Sequence, residues 1–202
     1  MPAPTPIEFY FDFSSPYGYF AAERIDALAA RHGRGVQWRP YLLGVAFKAT
    51  GSAPLASIPL KGDYMRHDLP RTARLLGIEY REPASFPISG VHPARAFYWA
   101  EGRDPAKARA LAGALYRAYF AQGIDISEAE NTLDVCARCG FDRAEARAGI
   151  ADPAVKERLR AEVERGLARG VFGSPYVIVD GEPFWGADRL DQVERWLATG
   201  GW

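Results

Sequence analysis

The stretch Phe9-Tyr-Phe-Asp-Phe-Ser-Ser-Pro-Tyr17 runs from a strand pattern directly into a helix start. Ile7, Phe9, Phe11 and Phe13 alternate with Glu8, Tyr10 and Asp12, and Ser14-Ser15-Pro16 then supplies an N-cap with proline at the first helical position. Ser15 thereby stands at the positive end of a helix, which favours an anion and lowers the pKa of a thiol held there. No base accompanies the serine in any nearby motif. Its hydroxyl therefore reads as a donor to another group's charge rather than as a nucleophile, and the same local pattern also serves as a plain helix cap.

Working outward, residues 17–32 place Phe20, Ala21, Ile25, Leu28 and Ala29 on one stripe and stop at Gly33, after which residues 36–42 form a second strand. Strand, helix and strand make a βαβ unit if the two strands are parallel. Residues 44–59 gather glycine, serine, threonine and proline and read as loop, with a turn of helix around 45–48. From Lys61 the pattern is helical: residues 61–77, kinked or divided by Pro70, then a helix from Pro93 and one capped by Asp104-Pro105. Short helices over 132–139 and 143–149 and a longer one over 153–169 follow. Strand character returns at Tyr176-Val-Ile-Val179, turns at Asp180-Gly181, continues over Glu182-Pro-Phe-Trp185 and yields to a last helix through Leu190, Val193 and Leu197. Two strands at either end are too little sheet to stand alone, so they are expected to pair across the gap. The expected fold class is α/β: residues 1–45 and 170–202 form one sheet domain, interrupted by a large all-helical insertion over 46–169.

The totals narrow the function classes. A chain of 202 residues, 48% hydrophobic, can bury a substantial core, and 25 basic against 25 acidic residues give no long-range field for nucleic acid or an anionic membrane. No run approaches the roughly 20 apolar residues of a membrane span, and the first residues lack a secretion pattern, so a cytoplasmic protein is expected. Cys136 and Cys139 are too few for a disulfide scaffold or a zinc site and fall inside a helical pattern, which reads as small buried hydrophobes. His32, His67 and His92 share no ligand spacing, so no metal is expected; His67 and His92 remain candidates beside a substrate pocket.

Phe172-Gly-Ser-Pro-Tyr176 is the second informative stretch. A cis Pro175 would expose the backbone of Ser174 to an extended peptide, whereas a trans bond would leave an ordinary loop. Taken with the opening motif, with Lys61-Gly-Asp-Tyr-Met-Arg66, Asp68 and Arg71, and with Trp185-Gly-Ala-Asp-Arg-Leu190, it makes the chain resemble the thioredoxin superfamily. The branch is that of 2-hydroxychromene-2-carboxylate isomerases and kappa-class glutathione transferases, which also resembles the DsbA group with its helical insertion.

The resemblance implies a thioredoxin-like βαβ and ββα core around the insertion, with glutathione as cofactor and Ser15 as the catalytic residue, standing where thioredoxins carry the first cysteine of Cys-Pro-Tyr-Cys. Here that run is Ser15-Pro-Tyr-Gly18, so dithiol chemistry is excluded at this position. It further implies that Ser174 and Pro175 meet the cysteinyl part of glutathione, and that Ala187 and Asp188 receive its γ-glutamyl group. Arg39, Lys61, Tyr64 and His92 are candidates for the second substrate, a small aromatic carboxylate; Phe47, Tyr64, Phe86 and Trp99 are candidate walls, although each reads first as core packing. The Lys61 to Arg71 segment reads equally as a solvated helix face. Ser14 and Ala187 depart from the branch's pattern: Ser14 stands where an apolar residue is common, and Ala187 removes a hydroxyl contact. The implied reaction is glutathione-dependent isomerisation of 2-hydroxychromene-2-carboxylate to trans-o-hydroxybenzylidenepyruvate. The alternatives are a kappa-like transferase or peroxidase and a non-catalytic thiol- or peptide-binding module. A homodimer is compatible with the branch.

Overall fold

The computed structural model describes residues 5–202. Strand β1 (Ile7–Phe11), helix α1 (Pro16–Arg31) and strand β2 (Val36–Pro40) open the chain, and β1 and β2 pair in parallel with Phe9 beside Trp38. Strands β3 (Tyr176–Val179) and β4 (Glu182–Trp185) complete one four-stranded sheet in the order β2-β1-β3-β4, with β3 antiparallel to both neighbours. The β3–β4 turn uses Asp180 and Gly181 at φ 53° and 98°, the left-handed pair that a two-residue hairpin needs. Pro183 is tolerated in β4 because that strand is an edge.

Between β2 and β3 lie helices α2 (Leu43–Thr50), α3 (Lys61–Leu76), α4 (Val91–Glu101), α5 (Pro105–Phe120), α6 (Ala129–Arg138), α7 (Arg143–Ala151) and α8 (Pro153–Ala168); α9 (Leu190–Thr199) ends the chain. The thioredoxin-like core is thus interrupted by a block of helices before its ββα segment. The block and the sheet share one apolar core. Phe9, Phe11 and Trp38 pack ring against ring within the sheet at 5.0–5.3 Å, and Phe11 meets Phe97 of α4 at 6.4 Å and Tyr116 of α5 at 5.6 Å.

Two local expectations change and a third is narrowed. Tyr10 and Asp12, the other phase of the alternation, are buried as well: α8 packs over Tyr10, and Asp12 is enclosed by Ser14, Leu43, Gly90 and Tyr116. Gly166 permits this approach: a Cβ there would lie 2.7 Å from the Tyr41 ring and 3.4 Å from that of Tyr10. Residues 43–50 form a full helix rather than a loop with one turn. Finally, Pro70 sits inside α3 without dividing it.

Candidate functional site

Ser15 is the N-cap of α1, extended at φ −95° and ψ 114°, and its Oγ accepts the Gly18 N–H at 3.0 Å. The same Oγ donates its proton to the carbonyl oxygen of Ser174 at 2.8 Å. Ser174 precedes a cis peptide bond to Pro175, and its side-chain oxygen accepts the Asp12 N–H at 2.9 Å. The end of β1, the start of α1 and the turn into β3 are therefore knotted by two serines 159 positions apart. Pro16 brings no N–H, and Gly18 and Tyr19 give theirs to the Ser15 Oγ and carbonyl. The Tyr17 amide is then the donor of the first turn with no protein partner among the described residues.

Gly18 is enforced by its surroundings. A Cβ at that position would stand 2.6 Å from the Tyr116 hydroxyl and 2.8 Å from the Ser174 Oγ. The Tyr116 hydroxyl is itself anchored, donating to the Asp12 carbonyl at 2.8 Å.

Asp12, which the sequence reading passed over as one polar residue in an alternation, is the buried acid of the site. Its Oδ1 accepts the Ser14 N–H at 2.8 Å and its Oδ2 accepts the Leu43 N–H at 2.7 Å. Burial pushes its pKa up to about 6, against the opposing pull of those two amides. Leu42, the N-cap of α2, makes no side-chain cap bond, so Asp12 performs that task from 31 residues upstream.

These groups form one end of a cavity of about 580 Å³. Leu43 and Phe47 of α2, Leu55 and Ile58 of the following turn, Met65 of α3 and Phe86 give it an apolar wall. Lys61, one helical turn from Met65 on the same face of α3, is the one basic side chain of the lining. The rim carries Phe172 and Trp185, 41% and 55% exposed, with ring centroids 4.8 Å apart. Trp185 lies so closely over Gly173 that a Cβ there would meet its Nε1 at 2.1 Å.

Ser15, Ser174 and Lys61 thus come together on one cavity, with Phe47 and Phe86 on its wall, and other expected residues stand elsewhere. Arg39 stands away from the cavity: it is buried on β2, bonded to Glu162 at 2.7 Å and to Gln37, with Glu8 at 3.2 Å, and is not among the lining residues. Tyr64 is exposed on α3 and receives a bond from Arg71 at 2.6 Å, so it neither lines the cavity nor walls it. Arg71 also holds Asp68, which accepts the Tyr17 hydroxyl at 2.7 Å and so docks α3 on α1. His92 has its Nδ1 2.7 Å from the Ser127 carbonyl and lies outside the lining. Trp99 is a core residue packed against Gly149 and Phe141.

Ala187 and Asp188 open the short 3₁₀ turn before α9, which packs on α1 beyond the Trp185 rim. Ala187 is buried, and the Asp188 carboxylate folds back over Gly186 and accepts from Arg189 at 2.9 Å. The Ser14 Oγ accepts the Ile88 N–H at 3.1 Å, and Ser14 lines the same cavity as Ser15. Cys136 is fully buried and its thiol is pushed up to about 12 by desolvation, and Cys139 is raised for the same cause; both are free thiols suited to packing.

A second hollow of about 640 Å³ lies between α1, α5 and β2. Within it Trp38 bonds Asp26 at 3.0 Å and Arg117 bonds Glu23 at 2.7 Å. Among the described residues no cluster of His, Cys, Asp and Glu could hold a metal ion, and no helix is long and apolar enough to cross a membrane.

Comparison with known proteins accords with this geometry. The DSBA-like thioredoxin domain matches residues 6–198. A 2-hydroxychromene-2-carboxylate isomerase of Sphingobium xenophagum is 34% identical over 95% of this chain and 97% of its own. Glutathione S-transferase kappa 2 of Caenorhabditis elegans is 28% identical over 98% of this chain and 94% of its own. The solved structure of a 2-hydroxychromene-2-carboxylate isomerase superposes with a TM-score of 0.85 at 28% identity, over 96% of this chain and 95% of that one. Fold, site and likeness converge: the chain belongs to the DSBA-like thioredoxin domain family, in the branch that holds the 2-hydroxychromene-2-carboxylate isomerases and the kappa-class glutathione transferases.

Proposed function

We propose that this protein is a glutathione-dependent isomerase that converts 2-hydroxychromene-2-carboxylate to trans-o-hydroxybenzylidenepyruvate. The observation that carries the reading is the meeting, on one cavity, of a helix N-terminus capped by Ser15 with an apolar wall that contains a single cation, Lys61. The residues present suit a peptidic thiol. The Ser15 hydroxyl and the unpartnered Tyr17 amide are donors for an anionic sulfur, and the Ser174 carbonyl beside cis Pro175 is an acceptor for a backbone N–H. The Asp188 carboxylate, turned over Gly186, and the amides that start the last helical segment suit the two charges of a γ-glutamyl end.

Bound glutathione would supply a thiolate that adds reversibly to the unsaturated carbon, frees the bond to turn and leaves unchanged. The protein's share of the work is placement and electrostatics. Ser15 and the first turn of α1 hold negative charge at one end of the cavity, and the wall formed by Leu43, Phe47 and Phe86 shuts out water and flanks a flat ring. Lys61 pairs with the carboxylate of the acid and fixes which end of it faces Ser15.

The test is turnover of the chromene with glutathione in catalytic amount. Many turnovers per glutathione support the isomerase. Stoichiometric loss of glutathione to electrophiles or hydroperoxides, with the chromene left unchanged, would put the protein with the transferases instead.

A further inference from the structure

We infer that the Ser174 carbonyl selects the thiol: the Ser15 hydroxyl is spent on that carbonyl in the free protein, and it turns to a sulfur only when the ligand brings an amide N–H to take its place. The site therefore accepts N-acylated cysteine thiols and stabilises simple thiolates poorly. This rests on the thiol reading above and narrows it.

A hydroxyl has one proton. That of Ser15 lies on the Ser174 oxygen at 2.8 Å, and one of its lone pairs is taken by the Gly18 N–H at 3.0 Å. A thiolate can only accept, so it must draw the proton off the carbonyl. Ser174 is buried, and among the described residues its carbonyl has no donor other than Ser15. Stranding that oxygen costs roughly 1–3 kcal/mol, enough to cancel most of what one hydroxyl gives a sulfur.

Neither neighbouring hydroxyl is free to step in. The Ser174 Oγ accepts the Asp12 N–H at 2.9 Å and bonds the Tyr116 hydroxyl, which itself donates to the Asp12 carbonyl at 2.8 Å. The space between them is closed, because even a methyl group on Gly18 would meet both hydroxyls within 2.8 Å. Once a bound ligand has displaced water from this end of the cavity, the replacement donor must belong to the ligand. The amide N–H of an acylated cysteine is the one such group that lies close to the sulfur in a peptide. The thiol proton itself leaves to solvent, so binding in the ionised form releases up to one proton.

The exchange predicts effects of opposite sign. S-methylglutathione offers the amide without the anion and must share the carbonyl with Ser15, so Ser15→Ala should lower its dissociation constant about threefold while raising that of glutathione about tenfold at neutral pH. On the unaltered protein, ultraviolet thiolate absorbance should show the bound thiol of glutathione and of N-acetylcysteine ionising at lower pH than free thiol. That of 3-mercaptopropionate, which keeps the sulfur and the carboxylate but lacks the N–H, should shift less, by the helix terminus alone. Equal depression for all three thiols, or weaker S-methylglutathione binding to Ser15→Ala, overturns the exchange, and the wild-type series decides it even if the variant folds poorly. Glutathione that binds and ionises alongside a flat series removes only this inference, whereas absence of glutathione binding removes the thiol reading with it.

Discussion

At the scale of single residues, Asp12 is where charge and fold are most tightly linked. Its carboxyl is raised from 3.8 to about 6 by burial, although two backbone amides stabilise its ionised form. Between those values the folded chain keeps a proton that the unfolded chain has released. The stability that Asp12 confers is therefore greatest below about pH 4 and is lost as pH rises through 6, by about 3 kcal/mol in all. Asp12→Asn removes the titration and adds a pH-independent loss of one acceptor. Thermal melts of the two proteins should thus converge, or cross in the variant's favour, between pH 4 and pH 7; parallel curves would mean the acid is not titrating in the fold. Lys61 allows a cleaner functional test because it is the only cation of the cavity lining. Lys61→Met should raise KM for the aromatic acid about tenfold, with glutathione affinity unchanged. Impaired glutathione binding would instead move Lys61 to the thiol half of the site.

At the scale of elements, α2 shows why part of the site escapes a reading of the chain. Only Ala46 of this helix is buried, so it has no apolar stripe to announce it, and its cap comes from Asp12, far outside any local window. The strands, by contrast, were legible, because Phe9, Phe11 and Val177 to Val179 must be apolar to lie in a sheet covered by helices. The Ser15-Pro16 cap was legible for a local reason, since capping is decided within four residues. The burial of Tyr10 was not, because what covers it lies on α8, distant in sequence. The α4–α7 contact permits a direct test. A Cβ on Gly149 would fall 1.9 Å from the Trp99 ring, and both residues are buried. Gly149→Ala should destabilise the fold by roughly 2–3 kcal/mol, seen as a drop in Tm of about 5–10 °C. An unchanged Tm would show that α7 can slide over α4 at little cost.

Over the whole molecule, the sheet and the helical block are tied at Arg39. Its guanidinium joins Glu8 of β1 to Glu162 of α8, and Glu162 is buried as well, with Arg158 and Arg165 at 3.3 and 3.6 Å to share its charge. Sequence alone offers no way to tell such a strut from a substrate-binding arginine, because only the path of α8 across the sheet brings the two carboxylates to it. Removing the cation strands a buried acid, which costs roughly 3 kcal/mol before its remaining arginines compensate. Arg39→Met should therefore lower the urea midpoint while leaving KM for thiol and acid where they were. Unchanged stability with a raised KM for the acid would return Arg39 to the list of substrate ligands.

The crowding around Gly18 bears on what this scaffold can become. Where a dithiol relative would carry its second sulfur, even one added carbon collides with two hydroxyls that are themselves fastened to Asp12. A cysteine at residue 18 would demand that Tyr116 and Ser174 yield together, and their yielding would loosen the turn that holds Ser15. Resident disulfide exchange on this scaffold is thus barred by steric interlock, since it would require residues 15, 18, 116 and 174 to change together.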